Sequence, residues 1–209
     1  MPDARIAGVV LIAAAASSFI AATLPSLNRE RVWMLPQPNY LRVIAAHEGQ
    51  WRAHAWLFAV GTVLMGVALG LIARLIPSPF AVSATIVYAA VAPLWLADLA
   101  YRLDITVWAA RDEQAHAFFA ALGHWTGTLF NFFMIGGFFA MALLGAALAD
   151  GGLVPSWTAW VLILFGTAAG VSHWASWPSV MGMRSPFDLP VLVQLVPLFV
   201  AIPLAAGAS

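Results

Sequence analysis

Cysteine is absent from the 209-residue chain. Its absence excludes disulfides, thiolate metal sites and cysteine nucleophiles. Charge is scarce as well, at 9% of residues, against roughly 25% in soluble domains. So few charges cannot cover a water-facing surface. All nine basic residues are arginine, and nine acids balance them. A formal net charge of zero provides no basic field for nucleic acid. What remains is apolar: 63% of residues are hydrophobic and the mean hydropathy is +0.90. This is the composition of a polytopic membrane protein.

Six apolar segments are long enough to span a hydrocarbon core of about 30 Å, which takes roughly 20 helical residues. They run over about 6–24, 55–73, 80–100, 125–149, 155–173 and 189–207. "IPSP" (76–79) separates the second and third, and "DGGLVPS" (150–156) the fourth and fifth. Proline and glycine at these places end helices. Backbone groups in lipid must be satisfied within the segment, so each span is expected to be a helix. The predicted fold is an all-α integral membrane bundle of six transmembrane helices, a single domain over residues 1–209. The first segment follows a single arginine and ends in "LPSLNRER". It lacks a small-residue cleavage site and reads as a retained span, not a signal peptide.

The connections are unequal. Those after spans two and four are short, while 25–54, 101–124 and 174–188 are long. Arg29, Arg31, Arg42, Arg52, Arg102, Arg111 and Arg184 fall on the long-loop side, and only Arg5 and Arg74 on the other. The positive-inside rule then predicts cytoplasmic long loops and, with six spans, both termini outside. The expected location is a bacterial inner membrane. Tryptophans cluster at the same side, and Trp157 and Trp160 mark the opposite interface; such rings anchor at headgroup level.

"AAHEGQWRAHAWLFAVG" (45–61) resembles "AARDEQAHAFFAALG" (109–123) once two residues are gapped. Each leads into an apolar hairpin, which suggests two parallel repeats. Spans two to five would then be a four-helix core flanked by spans one and six. Stretches 41–54 and 109–123 are predicted to be amphipathic helices at the long-loop interface.

All five histidines map to the long-loop side. His47 and His54 are at i, i+7 and would share a helix face. His54, His124 and His173 on three spans could supply two axial ligands to a b-type haem, with Arg52 and Arg102 meeting its propionates. Glu113 and His116 form the Glu-x-x-His step seen in metal bundles, and His47 and His54 complete a candidate metal set. Glu48 and Asp98 would contribute to a polar or proton-exchanging pocket. Asp98 lies at the edge of the apolar slab, where a carboxylate is costly without a partner. Arg102, four residues on, is placed to pair with it. Against these readings, interfacial histidines commonly just hydrogen-bond carbonyls and water.

At "ARIAGVVLIAAAASSFIAATL" and "LRVIAAHEGQWRAHAWLFAVGTVLMGVALGLIARL" the chain resembles uncharacterised bacterial six-span membrane proteins that carry a domain of unknown function. The resemblance covers mainly residues 1–75. It implies an inner-membrane helical bundle and brings no activity with it. Three functions are compatible with the residues. The first is an accessory or scaffold subunit, whose partners would be the lipid bilayer and other membrane subunits. The second is a haem- or metal-binding redox protein. The third is a small transporter or membrane enzyme with a cytoplasm-facing pocket.

Overall fold

A computed structural model describes residues 2–32, 35–112, 116–176 and 189–207. Among them are ten helices and no strand: α1 (Pro2–Ala22), α2 (Pro25–Arg29), α3 (Gln37–Ala46), α4 (Glu48–Leu75), α5 (Pro79–Leu103), α6 (Ile105–Arg111), α7 (His116–Gly151), α8 (Ser156–Ser176), α9 (Val191–Leu195) and α10 (Leu198–Ala206). The boundaries follow from local chemistry. Pro25 and Pro79 occupy first-turn positions, where a missing N–H costs nothing. Ser78 caps α5 by accepting the Ala81 N–H at 3.2 Å. Gly152 and Gly207 take positive φ of 61° and 68°, which only glycine adopts freely.

Five segments are long and apolar enough to cross a membrane: Asp3–Ala22, Glu48–Leu75, Pro79–Arg111, Ala121–Gly151 and Ser156–Ala175. The expected sixth, 189–207, is a shorter apolar helix, Val191–Ala206. At 1.5 Å per residue it measures about 24 Å. Val196 and Pro197 interrupt it, although both keep helical dihedrals. The stretch expected as one amphipathic helix over 41–54 is divided at His47, where φ is −130° and ψ is 36°. The second, 109–123, is divided after Arg111, because Asp112 is extended.

Consecutive long helices pack side by side: α1 on α4, α4 on α5, α5 on α7, and α7 on α8. α9 and α10 lie against α1, and α10 also touches α8. Helices α4, α5, α7 and α8 therefore form an arc that α1, α9 and α10 close, not a separate four-helix core. Small residues bring the helices together. A Cβ at Gly145 would stand 2.7 Å from the Ala159 carbonyl, and one at Gly166 would stand 2.6 Å from that of Phe138. Both positions lie at the α7–α8 contact.

The two ends are distinct. Gly151 approaches Ile76, and Gly207 approaches Arg5, at the short-loop end. At the long-loop end α3 packs on α6, and both lie beside the mouths of the long helices. α3 and α6 each precede one of the long helices, α4 and α7. Trp157 and Trp174 are both exposed on α8. They stand about 26 Å apart along it at 1.5 Å per residue, close to the thickness of a hydrocarbon core.

Candidate functional site at the long-loop end

Helix periodicity places the first contact. Asp98 and Arg102 are one turn apart on α5, and Arg102 Nε donates to Asp98 Oδ2 at 2.8 Å. The carboxylate is buried, at 3% exposure for the residue. The Arg102 guanidinium also lies 5.1 Å from the centre of the Trp95 ring, within cation–π range. Its backbone carbonyl accepts the Trp51 Nε1–H at 2.8 Å. One arginine thus ties α5 to itself and to α4.

A second set of charges lies nearer the surface. Glu48 accepts from Arg52 at 2.8 Å and from the Arg111 Nη2 group at 2.6 Å. The first is an i,i+4 pair within α4, and the second crosses to α6. Gln50 joins in from the same helix: its Oε1 accepts the Ser26 N–H and its Nε2 donates to Ser26 Oγ. The start of α4 is therefore clamped to α2 and α6.

Aromatic rings fill the space beneath. Trp51 stacks on His54 with centroids 5.6 Å apart, His54 meets the edge of Phe58 at 4.9 Å, and Phe58 meets Trp95 at 5.7 Å. Trp95 stacks on Phe133 of α7 at 5.3 Å. Tyr40 of α3 lies edge-on to Trp51 and parallel to Phe119. Burial pushes its hydroxyl above the ordinary tyrosine range, so it stays protonated. The Tyr101 hydroxyl donates to the Phe119 carbonyl at 3.2 Å and joins α5 to α7.

The histidines are distributed among these layers. His54 is buried, with Nδ1 3.0 Å from the Ala21 carbonyl of α1. His173 is buried on α8 and stacks on Phe138 of α7 at 5.7 Å. His124 is exposed on α7. Three environments thus hold the three imidazoles considered for haem. Arg52 and Arg102, considered for its propionates, each hold a carboxylate instead. His47 sits at the α3–α4 junction outside helical dihedrals, so it does not continue the helix face that carries His54. Glu113 and the side chain of His116 lie outside the described residues. Among the described residues no three His, Asp or Glu side chains gather as a metal site requires.

Sequence reasoning singled out Asp98, Arg102 and Glu48. It missed Trp51 and Tyr40 as organising groups, and Arg111 as the partner of Glu48. The Trp51 signal was present in its place one turn before buried His54. The Glu48–Arg111 contact spans 63 positions and leaves no local pattern.

Fold and site define a class: an all-helical chain with five helices fit to cross a membrane and a polar, aromatic layer at one end. Comparison with protein-family models, curated proteins and solved structures finds no match to this chain.

Proposed function

We propose that the chain is a non-catalytic accessory or scaffold subunit of a membrane assembly. In this reading it lies in a bacterial inner membrane, its long loops are cytoplasmic, and α9 with α10 makes a sixth crossing. The polar groups at the long-loop end support a structural role, because Glu48, Asp98, Arg52, Arg102 and Arg111 are engaged with one another. Aromatic side chains occupy the space below them.

The observation that carries the reading is on α4. Gly8, Gly61, Gly136, Gly145 and Gly166 all sit where a Cβ would collide with a neighbouring helix. Gly70 is different, because a Cβ there meets nothing within 4 Å, and one at Gly66 comes no nearer than 3.8 Å to Tyr88. These two glycines stand one turn apart beside exposed Val63 and Val67. With Thr62, Thr85, Ala89 and Ala92, Gly66 lines a lateral groove of about 130 Å³. Glycines at this spacing let a second transmembrane helix approach closely.

Gly66→Ala/Gly70→Ile tests this directly, since a Cβ at Gly66 reaches only ordinary contact distance from Tyr88 and one at Gly70 meets nothing within 4 Å. Wild type purified in mild detergent is expected to retain a defined partner subunit that the double variant loses, with unchanged thermal unfolding. Retention of the partner by the variant, or a wild type that purifies alone, contradicts the reading. A Soret band in the purified protein would favour the haem reading instead.

A further inference from the structure

Val191–Ala206 is shorter than the five long apolar segments and poorly built to enter a membrane alone. Its length is about 24 Å at 1.5 Å per residue, less than a hydrocarbon core of about 30 Å. Pro197 precedes α10 and Pro203 lies within it. Neither has an N–H, so the Val193 and Phe199 carbonyls lack the donor that a regular helix supplies. Gln194 stands about 18 Å from Ala206 along the segment, which puts its amide well inside the slab. Polar groups at such depth are costly in lipid and normally face a partner.

The rest of the bundle supplies what the segment lacks. On α1, a Cβ at Gly8 would collide with the Ala205 backbone and stand 2.7 Å from the Ala201 carbonyl, so α10 meets α1 backbone to backbone. On α7, a Cβ at Gly137 would stand 3.0 Å from Val193 Cγ1. On α5, the Tyr88 hydroxyl faces the Gln194 amide. Its hydrogen goes to the Thr62 carbonyl at 3.1 Å, and its oxygen is left to accept an amide hydrogen. Gln194 is 0% exposed, so protein and not lipid surrounds it. α1, α7 and α5 thus present two glycines and a hydroxyl at the places where α10 and α9 need room or a partner.

We propose, on the reading that α9 and α10 make a sixth crossing, that this crossing is conditional: the segment enters the membrane by docking on α1, α5 and α7 once they are packed. The C-terminal segment is then an element with two positions. Docked, it holds Ala206 on the side of Asp150. Undocked, it leaves Ala206 on the long-loop side.

Labelling of Ala206→Cys with a membrane-impermeant maleimide, before and after permeabilisation of cells that make the full chain, provides the test. Asp150→Cys serves as the reference. Gly8→Ile blocks docking, because its side chain cannot fit against the Ala205 backbone. In that variant, labelling of Ala206→Cys from outside is expected to fall several-fold and to return on permeabilisation, while Asp150→Cys is labelled as before. Adding Gln194→Leu removes the amide that needs a partner and should restore much of the outside labelling. Outside labelling unchanged by Gly8→Ile overturns the proposal, since the segment then crosses without its dock. A loss that Gln194→Leu leaves untouched also overturns it. Should Gly8→Ile fail to accumulate, Gly137→Leu intrudes on Val193 from α7 instead and carries the same expectations. If Ala206→Cys without these changes is reached only after permeabilisation, the sixth crossing itself fails, an outcome distinct from unchanged labelling in Gly8→Ile.

Discussion

Asp98 and Arg102 make a contact whose loss is asymmetric. Removing the carboxylate leaves the guanidinium with its acid partner gone and the Trp95 ring 5.1 Å away. Breaking one side of a buried pair costs about 3–5 kcal/mol. The Arg102 side chain is 19% exposed and keeps its cation–π contact, so Asp98→Asn is expected at the low end, about 3 kcal/mol. Denaturant titration in mixed micelles reads this. The double variant Asp98→Asn/Arg102→Gln should lose less than the two single changes added together. Trp51→Phe keeps a ring against His54 but removes the donor to the Arg102 carbonyl and leaves part of a fully buried site empty, and should cost about 1–3 kcal/mol. The Asp98–Arg102 pair was legible because helix spacing alone brings the two groups together. The burial of His54 and His173 was not. Both lie near helix ends, where periodicity does not say whether a face meets lipid, headgroup or a neighbouring helix.

Helices depend on glycine in two different ways, and substitution separates them. Gly166→Leu places a branched side chain where even a Cβ is 2.6 Å from the Phe138 carbonyl. Overpacking of this kind costs about 1–3 kcal/mol and sometimes more, so α7 and α8 should separate and unfolding should come earlier. Gly70→Leu, on open surface, should leave stability within about 0.5 kcal/mol. Equal effects at the two positions would contradict the packing described. The clamp between α4 and α6 is expected to be soft. Glu48 is 24% and Arg111 65% exposed at the side chain, and water and salt screen so open a pair. Glu48→Gln should therefore raise hydrogen exchange in α6 without shifting the global transition. Long helices were readable from apolar runs and from Pro77, Pro79, Gly152 and Pro155. The break at His47 was not, since neither glycine nor proline marks it. Its cause is tertiary: α3 turns aside to bury Leu41 and Ile44 beside Ala109 and Val107 of α6, while α4 continues into the bundle.

At the scale of the whole molecule, one asymmetry orders the chain: seven of nine arginines belong to the long-loop end. Among the described residues, the bundle sets Arg29, Arg31, Arg42, Arg52, Arg102 and Arg111 apart from the short-loop end, where Arg5 lies beside Gly207. The positive-inside rule then predicts that Asn28 faces the cytoplasm and that Asp150 and Ala206 face outward. Ala206 tests more than orientation. Val191–Ala206 is shorter than the other apolar segments, yet its last residues lie with the start of α1. If α9 and α10 complete a crossing, Ala206 and Asp150 must share a compartment. The chain has no cysteine, so Asn28→Cys, Asp150→Cys and Ala206→Cys each introduce a single reporter, and all three positions are exposed. In intact cells a membrane-impermeant maleimide should label Asp150→Cys and Ala206→Cys at once, and Asn28→Cys only after permeabilisation. Labelling of Asn28→Cys from outside would reverse the orientation. If Ala206→Cys behaves like Asn28→Cys while Asp150→Cys is labelled, the arginine rule survives, but α9 and α10 do not cross the membrane with the rest of the bundle.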